Sequence, residues 1–237
     1  MIYRNELKFL VSDFDAKLLE NKIKCICQKD AHAYENSQYN ISSLYFDTLD
    51  DRYYGECKAG VNDRKKYRIR VYNGSKKRIS LECKFGLNGK KRKETFILSE
   101  SDYNDLINGE IPEAERNNEI QNGMFSDFCA EIKKGLKPKV VVSYNRTALV
   151  YPIGNVRITF DREITARPYY SLFDERVGGI PVMLPGSKTV VEVKYDDVLP
   201  QAIRSIFAVN EELRPCSFSK YALCRDALEG MIIDYFE

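Results

Sequence analysis

Charged side chains recur at every second position along six strand-like segments of this 237-residue sequence: Glu6-Leu7-Lys8, Arg68-Ile69-Arg70, Glu82-Cys83-Lys84, Tyr144-Asn145-Arg146, Arg157-Ile158-Thr159-Phe160-Asp161 and Glu192-Val193-Lys194. A β-strand turns successive side chains to opposite faces, so each segment presents its charges on one side and mostly apolar residues on the other. The cations gathered this way are Lys8, Arg68, Arg70, Lys84, Arg146, Arg157 and Lys194, with Lys93 and Lys220 close to the same pattern. The acids are Glu6, Glu82, Asp161 and Glu192. Guanidinium forks and mobile ammonium groups at several heights suit a chain of phosphates. A carboxylate among them suits a hard divalent cation that bridges phosphate oxygens, and Glu192 is the best placed to supply it. Such a metal, with the cations, would neutralise charge in a phosphoryl-transfer transition state. The same alternation also fits an ordinary antiparallel sheet with Lys, Arg and Glu pairs on a solvated face. The pattern alone leaves both readings open.

Strands must carry these residues. Alternation predicts them over 2–11, 41–47, 66–72, 78–85, 92–98, 139–151, 155–163 and 189–195. Asn73-Gly74 predicts a tight hairpin turn, and Gly86-Leu87-Asn88-Gly89 a second. A helix over 14–28 is expected behind an Asp13 cap, with Phe14, Leu18, Leu19, Ile23 and Ile26 on its apolar face. Ser99-x-x-Asp102 marks a capping box; a helical stretch over 112–135, broken by Gly123 and ended by Gly135, and helices over 198–209 and 220–233 are also expected. Short connections between strands argue for an antiparallel sheet, closed or strongly curved, with helices on its apolar face: an α+β fold. No repeat, linker or low-complexity tract appears, so residues 1–237 read as one domain.

Composition narrows the classes. Charged residues make up 30%, yet the net charge is only +2, so a strong field must come from local clustering. No run of 18 apolar residues or signal peptide appears, and the seven cysteines lack regular spacing, which predicts a cytoplasmic protein with reduced thiols. Cys25-x-Cys27 is no zinc spacing, and the single histidine, His32, reads as a surface residue. The run Lys90-Lys91-Arg92-Lys93 follows a turn and reads as a solvated hairpin, so no nucleic-acid partner is expected.

The ordered set Tyr3-Arg4-Asn5-Glu6-Leu7-Lys8-Phe9, Ser43-Leu44-Tyr45-Phe46-Asp47, Lys66-Tyr67-Arg68-Ile69-Arg70, Leu81-Glu82-Cys83-Lys84, Ser143-Tyr144-Asn145-Arg146, Val191-Glu192-Val193-Lys194 and Phe218-Ser219-Lys220-Tyr221 resembles the polyphosphate polymerase domain of vacuolar transporter chaperone (VTC) type, within the triphosphate tunnel metalloenzymes. The resemblance covers about residues 2–228. It implies an antiparallel eight-stranded β-barrel tunnel with helices outside. It also implies transfer of the ATP γ-phosphate to a growing polyphosphate chain, dependent on Mn²⁺ or Mg²⁺, with release of ADP. By motif, Lys8, Arg68, Arg70, Lys84 and Arg146 would bind phosphates, Glu192 would hold the metal, and Lys220 would orient the reacting phosphate. Arg68, Arg70 and Lys220 form the catalytic set. Tyr144 and Ser219 belong to the same motifs, and Lys93 matches a further tunnel lysine loosely. Arg157 and Asp161 rest more on alternation than on motif, and Lys194, within the Val191–Lys194 motif, is a further phosphate-binding candidate.

Two departures stand out. Tunnel triphosphatases and related cyclases usually open with E-x-E-x-K, whereas Arg4 stands here at the first glutamate; that favours the polymerase branch. Many polymerase-like sequences read K-x-S-K-Y near the end, whereas Ser217 occupies the first lysine position and Arg214 lies nearby. A triphosphatase and a non-catalytic polyphosphate-binding module are the alternatives. The expected partners are ATP and inorganic polyphosphate, with room for a separately encoded membrane partner that would bring the chain to the inner face of a membrane.

Overall fold

A computed structural model describes residues 4–30, 38–87, 90–117, 122–168, 172–173, 178–182, 189–208 and 213–234. The fold is α+β. Among the described residues, ten strands run in the order β1 (Asn5–Val11), β2 (Gln28–Lys29), β3 (Gln38–Asp47), β4 (Lys65–Tyr72), β5 (Ser75–Leu87), β6 (Lys90–Leu98), β7 (Lys137–Tyr151), β8 (Val156–Pro168), β9 (Ile180–Pro181) and β10 (Thr189–Tyr195). The helices are α1 (Asp13–Lys24), α2 (Arg52–Lys58), α3 (Glu100–Ile107), α4 (Glu113–Arg116), α5 (Gly123–Lys133), α6 (Gln201–Ala208) and α7 (Lys220–Asp234). The antiparallel sheet follows the path β1-β10-β8-β7-β3-β4-β5-β6, with β2 beside β7 and β9 beside β8. Eight strands on the path agree with the number expected. None of the described helices is long and apolar enough to cross a membrane.

The chain divides into two compact units. The first comprises Met1–Asn40, Tyr144–Ile164 and Pro181–Phe218; the second comprises Ile41–Ser143, Thr165–Ile180 and Ser219–Glu237. In the first, Phe9 and Val11 of β1, Ile158 and Phe160 of β8, and Val191 and Val193 of β10 pack with Leu19 and Ile23 of α1 and Ile203 and Phe207 of α6. In the second, Leu44 and Phe46 of β3, Ile69 and Val71 of β4, and Leu81 and Cys83 of β5 pack with Leu106 of α3 and Phe125 and Phe128 of α5. These strand residues alternate with the charged ones. In both units the helices therefore cover the apolar face and leave the charged face on the other side.

Local chemistry explains the element ends. Ser99 and Asp102 form the expected capping box at α3. Asn73 and Gly74 both adopt positive φ, 51° and 63°, as a two-residue hairpin turn requires. Ser12 caps α1 by accepting from the Asp15 N–H at 3.1 Å, one residue before the expected Asp13. Asp47 at the end of β3 caps α2, accepting from the backbone N–H groups of Tyr53 and Tyr54, both at 2.9 Å.

Two expectations need correction. α1 buries Ala16, Leu19, Glu20 and Ile23, so its inward stripe leaves Phe14 (72% exposed) and Leu18 (46%) on the opposite side. The break expected at Gly123 is present: α4 and α5 are separate helices, and Asn122 caps the new start by accepting from the Phe125 N–H at 3.0 Å. Gly86 is a strand residue rather than part of a turn, since the β5–β6 ladder continues to Leu87 opposite Lys90. A Cβ at Gly86 would lie 2.2 Å from the Asn62 carbonyl oxygen, so only glycine admits this backbone approach. The turn residues Asn88 and Gly89, and His32, lie outside the described residues.

Candidate functional site

In the second unit, the strand register assembles one charged face. Tyr45 lies opposite Arg68, Arg68 opposite Glu82, Ser43 opposite Arg70, Lys66 opposite Lys84, and Lys84 opposite Lys93. Directly opposed residues share a face, so Lys66, Arg68, Arg70, Lys84 and Lys93 lie on the same face as Glu82. Glu82 is 2% exposed. It accepts from Arg68 Nε at 2.7 Å and Nη2 at 2.5 Å and from Lys93 Nζ at 2.7 Å, with Arg70 Nη1 at 3.8 Å. Burial pushes its pKa up, but Arg68, Arg70 and Lys93 outweigh burial and hold it far below the usual carboxylate range. Glu82 therefore stays ionised and fixes the guanidinium groups. Arg68 Nη1 also donates to the Tyr45 hydroxyl at 2.9 Å, and Arg70 Nε donates to Ser43 Oγ at 3.1 Å. Burial raises the Tyr45 pKa, yet Arg68, Arg70 and Lys66 together bring it below the ordinary tyrosine value. A lowered phenol at this spot registers the positive field around it.

Ser219 and Lys220 open α7 in the same unit. The Ser219 backbone and hydroxyl oxygens accept from Leu223 and Ala222 at 3.1 and 3.4 Å, and Lys66 Nζ donates to its Oγ at 3.1 Å. Lys66 also donates to Cys57 Sγ at 2.9 Å. Burial depresses the Lys66 pKa.

The first unit carries a second set. Glu6 lies opposite Lys194 and Lys194 opposite Arg157; Lys8 lies opposite Glu192 and Glu192 opposite Thr159. Here acids and bases balance more closely. Lys8 pairs with Glu6 at 3.0 Å and donates to the Phe218 carbonyl at 3.0 Å. Lys194 pairs with Glu192 at 2.9 Å, and Arg157 with Asp30 at 2.6 Å. Arg157 also donates to the Tyr39 hydroxyl at 3.0 Å. Buried Arg146, whose guanidinium lies over the Tyr144 ring, grips fully buried Asp161 through two bonds of 2.6 and 2.7 Å. Its Nη2 stands 3.8 Å from Glu192. Burial lowers the Arg146 pKa, but Asp161 more than offsets this and raises it. Arg4 pairs with Asp196 at 3.1 Å, beyond the end of β10.

Among the described residues, no cluster of three or more His, Cys, Asp or Glu side chains could hold a metal ion. On the charged face of the first unit, buried Glu192 has Glu6 on the neighbouring strand, while buried Asp161 is taken by Arg146 and buried Asp30 by Arg157. That donor set fits a hard cation held largely by phosphate oxygens, as Mg²⁺ commonly is, and does not fit a cation caged by protein alone.

The structure thus brings Arg68, Arg70, Lys84 and Lys93 to one face of the second unit, and Lys8, Arg157, Lys194 and Glu192 to one face of the first. Sequence reasoning missed Lys66, Tyr45, Asp30 and Tyr39. Alternation could have found the first, because Lys66 precedes Arg68 by two residues. Asp30 carried no local signal, since its partner Arg157 is remote in sequence. Ser217 and Arg214 are both exposed in the first unit.

A family model described as the VTC domain matches residues 3–229. The chain belongs to the VTC domain family. No curated protein matches this VTC domain. Among solved structures, it is similar to a candidate adenylate cyclase from Bacillus halodurans, with 14% identity, TM-score 0.50, and coverage of 88% of this chain and 87% of that one. It is also similar to a candidate adenylyl cyclase from Hippeastrum with a dominant triphosphatase activity, with 14% identity, TM-score 0.52, and coverage of 95% and 96%. At such identity the likeness concerns the fold alone.

Proposed function

We propose that residues 1–237 form a single phosphoryl-transfer domain that makes inorganic polyphosphate from ATP. A terminal oxygen of the polyphosphate chain bonds to the γ-phosphorus, and the bond from that phosphorus to the β–γ bridging oxygen breaks, releasing ADP. The observation that carries this reading is the second unit's face, where Lys66, Arg68, Arg70, Lys84 and Lys93 lie together and ionised Glu82 fixes Arg68. Such a clustering of cations suits a polyanion and presents a fork already oriented for phosphate oxygens. Arg68 and Arg70 would bind non-bridging oxygens, Lys84 and Lys93 would follow the chain, and Lys220 would orient the reacting phosphate. In the first unit, Lys8, Tyr144, Arg146, Arg157 and Lys194 would add phosphate contacts.

Glu192 would hold Mn²⁺ or Mg²⁺, which when bound supplies charge neutralisation. Arg4 supports synthesis over hydrolysis: the first position of E-x-E-x-K holds a cation already paired with Asp196. A cytoplasmic location, a separately encoded membrane partner and the absence of a nucleic-acid partner belong to the same proposal. The test compares wild type with Glu192→Gln. Wild type should turn over ATP only with Mn²⁺ or Mg²⁺. The variant should lose at least about 100-fold in rate, within the range for losing one charged transition-state stabiliser, while its circular dichroism is unchanged. Full activity in Glu192→Gln would sink the metal assignment.

A further inference from the structure

We infer that Thr159 is a further phosphate-contacting residue of the first unit, its hydroxyl donating to a phosphate oxygen beside Glu192. This deepens the triphosphate-binding reading above and rests on it. Thr159 sits on β8 between Arg157 and Asp161 at alternate positions, directly opposite Glu192 in the β8–β10 ladder. It is 3% exposed, and its Oγ1 makes no hydrogen bond. Its neighbours on the face differ: Arg157 bonds Asp30, Asp161 bonds Arg146, and Glu192 pairs with Lys194.

A buried hydroxyl without a partner is a standing cost, and most such groups in folded proteins are satisfied. Strand geometry does not demand threonine here. Valine has the same branched shape and high strand preference without the hydroxyl. The unused donor therefore points to an acceptor that arrives with a ligand. Lys8 on β1, Arg157 on β8 and Lys194 on β10 line the same face, and a phosphate oxygen has lone pairs to accept from such cations and from a neutral hydroxyl at once.

The test titrates tripolyphosphate into the whole chain by calorimetry, with EDTA present so that metal loading plays no part. Thr159→Val should bind about fivefold more weakly than wild type, which is about 1 kcal/mol for one neutral hydrogen bond. Thr159→Ser, which keeps the donor, should bind within about twofold of wild type. The melting temperature of Thr159→Val should equal or exceed that of wild type, because an unpaired buried hydroxyl has been removed. Should the valine variant not fold, Thr159→Ala against Thr159→Ser gives the same comparison. Equal affinity of wild type and Thr159→Val would overturn the inference while the functional reading stands. Weaker binding together with a lower melting temperature would also overturn it, as it would mark a structural role. Failure of wild type to bind tripolyphosphate would overturn the functional reading and this inference with it.

Discussion

Arg68→Ala is expected to weaken tripolyphosphate binding by roughly 10- to 100-fold at low salt, the range for losing a charged hydrogen-bonding group. Arg68 is bound at two nitrogens by Glu82 and at a third by Tyr45, so its fork is held before any ligand arrives. Removing it deletes a fixed donor and leaves Glu82 facing Arg70 and Lys93. Those two cations keep the carboxylate compensated, which is why binding should suffer more than folding. The deficit should shrink as salt rises, because screening weakens the electrostatic contribution of Arg68, which wild type has and the variant lacks. Titrations at two ionic strengths check this. Unchanged affinity at low salt would mean that the charged face of the second unit does not hold the ligand.

Asp161→Asn should lower the unfolding free energy by about 3–5 kcal/mol, the usual cost of breaking a buried ion pair from one side. Asp161 is fully buried and meets Arg146 through two short bonds. Asparagine keeps the shape but turns one acceptor into a donor, which would face a guanidinium N–H. Glu192, 3.8 Å from the same Arg146, is too distant and too engaged with Lys194 to replace it. Urea unfolding measures the loss. A change below about 1 kcal/mol would show that the pair is not held as described. The double variant Arg146→Met/Asp161→Leu should be less destabilised than Asp161→Asn, since replacing both charges leaves none uncompensated.

Much of the sheet was legible because its signal is local. Arg68 and Arg70 alternate with Ile69 and Val71, and Glu192 and Lys194 with Val191 and Val193; the structure separates the two sets onto opposite faces. The Asn73-Gly74 turn and the Ser99–Asp102 box were legible because each is chemistry within four residues. The α1 face was misjudged because apolar identity at Phe14 and Leu18 suggested burial, whereas Ala16 and Glu20 lie on the inward stripe. The partition of charge was not legible at all. That Glu82 would organise arginines, and that Asp161 would be spent on Arg146, depends on strand register and on pairs 14 and 15 residues apart in sequence. Alternation places a residue on a face without naming its neighbour on that face.

The most direct test of the account is to incubate the protein with ATP and Mn²⁺ and resolve the phosphate products by length. Long phosphate chains accompanied by ADP are the predicted result. Orthophosphate alone, or tight polyphosphate binding without turnover, would contradict it.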